Sequence, residues 1–332
     1  MSRMQFPHAY DNIISVGNLL DAWKEFVRGK RTRADVQEFQ LSLMDNILTL
    51  HHDLKHKTYT HGPYEAFNIS DPKPRNIHKA SIRDRLLHHA LYRQLYPFFD
   101  KTFIADSYSC RKEKGTHRAI DRFRSFAYKV SKNHTRTCWV LKCDIKKFFA
   151  SVDQQILTKI LEKYIPDENT MWLLKQVVDS FNSGISDKGL PLGNLTSQLL
   201  VNIYMNEFDQ FVKHTLTAKQ YVRYADDFVF LSHNKAQIKR ILRCIEVFLE
   251  DELKLHLHPR KVSLETFASG IDFLGWVHFA NHRVLRTVTK RRMLKCVEET
   301  EDEAVIQSYV GLLKYGNAKK LHQQMVKNKP LG

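Results

Sequence analysis

One stretch constrains this chain more than any other: Tyr221-Val222-Arg223-Tyr224-Ala225-Asp226-Asp227-Phe228-Val229-Phe230-Leu231. Aromatic and β-branched residues on either side of an acidic pair predict two short strands joined by a tight turn. Strand periodicity puts Tyr221, Arg223, Phe228 and Phe230 on one face and Val222, Tyr224, Val229 and Leu231 on the other. Such a hairpin buries both faces and carries two carboxylates at its tip. Adjacent carboxylates repel, and a divalent cation that prefers hard oxygen ligands, Mg²⁺ above all, is the simplest compensation. Asp also favours turns for local hydrogen bonding alone, so the pair by itself does not decide the matter.

A third carboxylate adds the missing weight. Thr137-Cys138-Trp139-Val140-Leu141-Lys142-Cys143 is an apolar, strand-like run that ends at Asp144. A strand delivering one Asp beside a hairpin delivering two makes a three-carboxylate site. That arrangement suits two ions about 3.5–4 Å apart, one activating a nucleophile and one steadying a leaving oxygen. Phe149 follows five residues after Asp144 and is placed to project beside the same site, where a ring would exclude a ribose 2′-OH. Asp153 is read as a helix N-cap and left out of the catalytic set.

The rest of the chain must carry a substrate suited to such a site. With 43% hydrophobic and 11% aromatic residues the chain is not disordered. Its 332 residues exceed one minimal core, so two or three subdomains are expected around a central one. The formal net charge of +16 fits a polyanionic partner as well as mere solubility. Five scattered cysteines without a Cys-x-x-Cys spacing argue against a structural zinc or a disulfide framework, and fit a reducing cytosol. There is no apolar run of membrane-spanning length, and the first eight residues do not read as a signal peptide.

Taken in order, residues 1–60 read as helical, with Leu19, Leu20, Trp23, Phe26 and Val27 on one face. Val36, Phe39, Leu43, Ile47, Leu50 and Leu54 follow after a basic break at Gly29–Arg33. Residues 58–80 carry strand and loop signals, with Lys73, Arg75 and Lys79 close enough together to reach over a triphosphate; Arg75 supplies a bidentate fork. A helix begins at Ile82, and Pro97 ends it or begins the next turn. A polar loop over Ser107–His117 leads into a helix over 117–130, and another helix spans 168–182. Gly189-Leu190-Pro191-Leu192-Gly193-Asn194-Leu195-Thr196-Ser197-Gln198 is a tight loop that lets backbone approach a nucleotide, with Asn194 or Thr196 capping the next helix. Asn234 caps a helix running to about Glu252. Leu255–Leu264 alternates like a strand with Lys261 near its middle, and a basic helical tail carries Arg283, Arg286, Lys290, Arg291, Arg292 and Lys295.

The order strand–Asp144–helix–helix–hairpin–helix–strand is that of a polymerase palm, and over roughly residues 60–280 the chain resembles reverse transcriptases motif by motif. Lys142–Phe149 resembles the first metal-binding motif, and Tyr224-Ala225-Asp226-Asp227 the YxDD box. Arg75 with Arg83-Asp84-Arg85 resembles the fingers segments. The resemblance implies an α+β right-hand polymerase with an RRM-like antiparallel palm sheet. Its parts would be fingers over 1–135 with an N-terminal helical extension, palm over 136–265, and primer grip with a short thumb over 266–332. It implies an RNA-directed DNA polymerase in which Asp144, Asp226, Asp227 and the Ile145 carbonyl hold two Mg²⁺, with Mn²⁺ as a substitute. Lys73, Arg75, Phe149, Leu192 and Gln198 would meet the dNTP, Lys261 would protonate pyrophosphate, and Phe273-Leu274-Gly275-Trp276 would be the primer grip.

Within that family the chain most resembles the enzymes of diversity-generating retroelements, because Leu190-Pro191-Leu192-Gly193 and Ser197-Gln198 stand where relatives usually carry Gln and Ser-Pro. Ala150 departs from the Pro often found after Phe-Phe. This finer resemblance implies error-prone, adenine-mutagenised cDNA copied from a retroelement RNA. It also implies a cytoplasmic setting and a small basic accessory variability protein as partner. An anti-phage defence or retron-like reverse transcriptase is the alternative.

Overall fold

The computed structural model describes residues 4–7, 9–70, 74–300 and 302–327. Four helices open the chain: α1 (Tyr10–Ile14), α2 (Val16–Phe26), α3 (Ala34–Leu41) and α4 (Leu43–Lys55). The expected stripe from Val36 to Leu54 is divided between α3 and α4, because Ser42 leaves helical geometry. A two-stranded hairpin follows, β1 (Glu65–Ile69) and β2 (Arg75–Lys79), then the long helix α5 (Ile82–Phe99). Helix α5 does not stop at Pro97 but continues to Phe99. Proline this near a C-terminus costs one hydrogen bond in the last turn rather than breaking a helix interior. Helix α2 lies along α5, α1 packs on both, and α4 packs on α1 and α2.

The centre of the molecule is a four-stranded antiparallel sheet made from β3 (Trp139–Asp144), β4 (Tyr221–Tyr224), β5 (Asp227–Ser232) and β6 (Ser263–Thr266). Its strand order is β4-β5-β3-β6, the RRM-like arrangement expected. Four helices intervene between β3 and β4: α7 (Phe148–Ser151), α8 (Gln154–Glu162), α9 (Glu168–Asp179) and α10 (Leu195–Gln210), which runs on into a π-turn over Phe211–Thr215. Helix α9 ends three residues short of expectation. Asp153 caps α8 as expected, accepting from the Ile156 N–H at 2.9 Å. Asn194 occupies the N-cap of α10 but its side chain does not cap. Its amide donates instead to the His78 carbonyl of β2 at 3.2 Å.

One sheet face turns Leu141, Cys143, Tyr221, Phe228 and Phe230 into the main core with α8, α10 and α11 (Lys235–Leu253), which Asn234 caps. The other face packs Val140, Val222, Val229 and Leu231 against Phe123, Phe126 and Ala127 of α6 (Thr116–Val130). The alternation read along the hairpin is therefore the one the fold uses.

The segment expected to be a strand over Leu255–Leu264 is mostly not one. A turn at Pro259–Arg260 interrupts it, and β6 starts only at Ser263. Beyond β6 a second small sheet holds β7 (Ile271–Phe273), β8 (Trp276–His278) and β9 (Arg283–Leu285), in that order. Arg283 thus lies on a strand, and the basic helix α12 (Thr287–Glu299) begins after Arg286. Helices α13 (Glu303–Leu313) and α14 (Lys319–Lys327) complete a separate apolar cluster around Trp276, Met293 and Val297. Among the described residues no helix is long and apolar enough to cross a membrane.

Candidate active site

Sheet register brings the carboxylates together. β3 and β5 pair so that Asp144 stands directly opposite Asp227. Strand periodicity then puts both on the face that carries Lys142 and Val229. Asp226 sits one residue earlier, in the two-residue turn between β4 and β5. Its carbonyl accepts from the Ile145 N–H at 3.2 Å, which ties the turn to the residue after Asp144. Ala225, the other turn residue, has φ +56°, the left-handed geometry that a tight hairpin demands and that a residue with a Cβ rarely adopts.

That turn is braced from beneath. Arg223 is fully buried and forms an ion pair with fully buried Asp209 of α10, Nη2 to Oδ2 at 2.6 Å. Its Nη1 donates to the Ala225 carbonyl at 3.1 Å, and Tyr221 donates its hydroxyl to Asp209 Oδ1 at 2.7 Å. A buried pair of this kind is worth little as net stability but fixes geometry, because breaking it strands a charge.

Burial is the chief cause that raises the Asp226 pKa, followed by the charge of Asp144. Burial likewise pushes Asp227 up to about 7, Lys142 opposing and Asp144 and Asp226 adding to the rise. Asp227 Oδ1 is buried with no hydrogen-bond partner. Lysine ammonium groups stand against these carboxylates. Lys261 Nζ lies 2.8 and 2.9 Å from the two Asp144 oxygens, and Lys142 Nζ lies 4.0 Å from Asp227 Oδ2. Lys261 reaches Asp144 because the backbone at 256–258 pairs with 144–146, the His258 N–H donating to the Asp144 carbonyl at 2.7 Å. The turn at Pro259–Arg260 then folds the chain back.

Among the described residues no three His, Cys, Asp or Glu side chains already form a metal cage. The donor set still fits a hard divalent cation. It offers carboxylate oxygens with an orphaned acceptor, in a place where desolvation raises the cost of uncompensated negative charge. Mg²⁺ takes one or two carboxylates and completes its shell with water and substrate phosphate, so a cage is not required in advance.

The other residues singled out from the sequence fall in several places. Arg75 opens β2, is exposed, and lies near enough to Asp226 to oppose its pKa rise. Lys73 lies outside the described residues. Phe149 is half-buried in α7, edge-on to Phe148, and its carbonyl accepts from the Leu190 N–H at 2.8 Å. Leu192 is half-buried, and its carbonyl accepts from the His78 N–H at 3.0 Å. Gln198 faces a cavity of about 420 Å³ walled by Arg85, Lys79, Gly193 and Leu195; none of the three aspartates lines it. Phe273 and Trp276 are buried core residues, while Leu274 and Gly275 at the tip of their hairpin are partly exposed.

Reading the sequence missed Lys142, whose ammonium donates to the Asp272 carbonyl at 2.6 Å while facing Asp227. Its position two residues before Asp144 on a strand was the available signal. It also missed the Arg223–Asp209 pair, for which an Asp in the last turn of a helix gave none.

Comparison with known proteins bears on the same segment. The reverse transcriptase (RNA-dependent DNA polymerase) family profile matches residues 69–278. Protein YkfC of Escherichia coli is 27% identical over 272 residues, covering 70% of this chain and 69% of YkfC. The group II intron-encoded protein LtrA of Lactococcus lactis is 20% identical over 322 residues, 76% of this chain and 52% of LtrA, so the chain spans about half of that relative. Telomerase from Candida albicans, solved with a fragment of telomeric RNA, superposes with a TM-score of 0.51 at 12% identity over 84% of this chain and 57% of its own, a likeness of fold. The architecture is that of a right-hand polymerase, and the chain belongs to the reverse transcriptase (RNA-dependent DNA polymerase) family.

Proposed function

We propose that this chain copies RNA into DNA at the site formed by Asp144, Asp226 and Asp227, with fingers over 1–135, palm over 136–265 and primer grip and thumb over 266–332. The observation that carries the reading is the direct pairing of Asp144 with Asp227 on an RRM-ordered sheet, with Asp226 in the adjoining turn. Two Mg²⁺ ions, or Mn²⁺ in their place, would be held by these carboxylates and the Ile145 carbonyl and would supply charge neutralisation at the attacking and leaving oxygens. Arg75, with Lys73, neutralises the triphosphate. Phe149 closes the space a ribose 2′-OH would need. Lys261, whose Nζ lies beside Asp144, would give a proton to departing pyrophosphate. Leu274 and Gly275 present backbone to the primer.

The finer reading is a diversifying retroelement enzyme, acting in the cytoplasm with a small basic accessory protein and error-prone at template adenines. What supports it is Leu192, a side chain that cannot hydrogen-bond a base or sugar, in a loop clamped to β2. The test is primer extension on an RNA template with Mg²⁺ and four dNTPs, with product sequencing. Wild-type protein should give product with errors concentrated at template adenines. Asp226→Asn should give none while binding RNA as before. Turnover by Asp226→Asn would sink the site assignment; faithful wild-type product would remove the diversifying reading in favour of a defence or retron-like enzyme.

A further inference from the structure

The loop before α10 is held from below by a buried chain of hydrogen bonds in which none of the proposed site residues takes part. Thr196, in the first turn of α10, meets His88 Nδ1 of α5 through its hydroxyl, and both residues are buried. His88 Nε2 faces His61 Nε2 at 3.1 Å, so one of these nitrogens carries the hydrogen and the other accepts. His61 Nδ1 lies 2.7 Å from the Gly62 carbonyl, which only accepts. Its hydrogen is therefore on Nδ1, and its Nε2 is the acceptor. His88 then donates from Nε2 and accepts at Nδ1, which makes Thr196 the donor. The partners thus assign both tautomers and one direction to the whole chain.

The surroundings leave this chain intact. Tyr64 lies 3.3 Å from His61 Nε2 but has a closer partner in Ser180 Oγ at 2.9 Å, whose own hydrogen goes to the Val177 carbonyl. Asp84 fixes the Gly62 segment, accepting from Tyr59, Ser81 and the Gly62 N–H at 2.7, 2.6 and 3.2 Å.

Above Thr196 the loop touches the nucleotide side on two fronts. Leu190 is tied to the Phe149 carbonyl. Leu192 and Asn194 are tied to the His78 N–H and carbonyl of β2, the strand that begins at Arg75. A displacement at Thr196 is therefore passed to the segment lying between the sugar-side ring and the phosphate-side strand.

We propose that the His61–His88–Thr196 chain is a positioning device for nucleotide selection, setting from α5 where Leu190–Gly193 lies relative to Phe149 and β2. The inference rests on the polymerase reading above and adds positioning residues to it. None of the three touches the substrate; each acts through the loop.

Two variants at one position separate positioning from plain stability. Thr196→Val keeps the shape and removes the donor, leaving His88 Nδ1 buried and unpaired; Thr196→Ser keeps the donor. Single-nucleotide insertion should show the KM for dNTP raised about tenfold in Thr196→Val, with kcat little changed and more misincorporation. Thr196→Ser should return KM to the wild-type value. Amide exchange at His78, bonded to Leu192, should quicken in the Val variant alone. Equal KM in Val and Ser, or a fall in kcat that tracks a lowered melting midpoint, overturns the proposal. Should Thr196→Val fail to fold, His88→Asn, which keeps an acceptor for Thr196, is compared with His88→Leu, which keeps none; equal KM values again overturn it. A wild-type protein inactive in insertion sinks the polymerase reading, while unchanged His78 exchange in Thr196→Val sinks the positioning claim on its own.

Discussion

Three aspartates and one arginine show what was readable residue by residue. The positions of Asp144 and Asp227 were legible because one ends and the other begins a strand of alternating residues, and alternation fixes which way a side chain points; Asp226 was legible as the turn residue beside them. The partner of Arg223 was not. Asp209 lies in the last turn of α10, fourteen residues upstream, and only the finished fold brings it to 2.6 Å. Lys261 was legible as a residue but not as the neighbour of Asp144, since its approach depends on a turn that the alternating pattern concealed. The buried pair makes a sharp prediction. Asp209→Ala leaves the Arg223 guanidinium uncompensated in a fully buried place, and chemical denaturation should show a loss of about 3–5 kcal/mol. Because Arg223 also donates to the Ala225 carbonyl, any Asp209→Ala protein that stays folded should lose primer extension with it. A loss below about 1 kcal/mol, the size of a surface pair, would mean the pair does not brace the turn.

At the level of elements, caps and apolar stripes were informative and loop geometry was not. Asp153 and Asn234 cap the helices assigned to them because a cap is a local contact. Asn194 does not: its side chain is turned to β2 instead, where its amide donates to the His78 carbonyl. The Leu255–Leu264 segment alternates, yet Pro259 cannot donate to a ladder and turns the chain instead. The same loop that misled the capping expectation holds the element-scale prediction. Gly193 has φ +115°, and a Cβ there would stand 2.9 Å from Ile77 Cγ2 on β2. Gly193→Ala is therefore strained twice, by backbone conformation and by contact with the hairpin. Stability should fall by about 1–3 kcal/mol, and the KM for dNTP should rise as the loop leaves β2. If Ile77→Ala in the same protein relieves no part of the KM change, contact with the hairpin is not its cause.

Across the whole molecule, two apolar clusters pack on the faces of the central sheet and a third holds the C-terminal helices; the order of the sheet was predictable from the succession of motifs, whereas the way those helices dock was not. That docking turns on Trp276, whose ring leaves no room for a Cβ at Gly316, a contact forty residues apart with no periodic signature. Buried histidines spread through these layers give the molecule a common pH response. Burial holds His88 down at about 3. It also lowers His89 and His278 to about 4, with nearby Lys30 and Arg85 adding to the first and Arg124 and Arg283 to the second. A histidine whose folded pKa is depressed binds its proton more readily when unfolded, so stability is complete above about pH 6.5 and falls as pH drops toward the folded values. Asp227 has the opposite sign. Raised to about 7 by burial, it takes up a proton in the folded state first, and so adds stability as pH falls below that value. The two responses oppose each other in the wild type, and Asp227→Asn removes the second. Denaturation of Asp227→Asn at pH 7.5 and 5.5 should then show a loss of about 3 kcal/mol, His89 contributing least because it is partly exposed. Wild-type protein should lose less over the same range, and equal losses in the two proteins would mean that Asp227 is not buried in the way its orphaned oxygen implies.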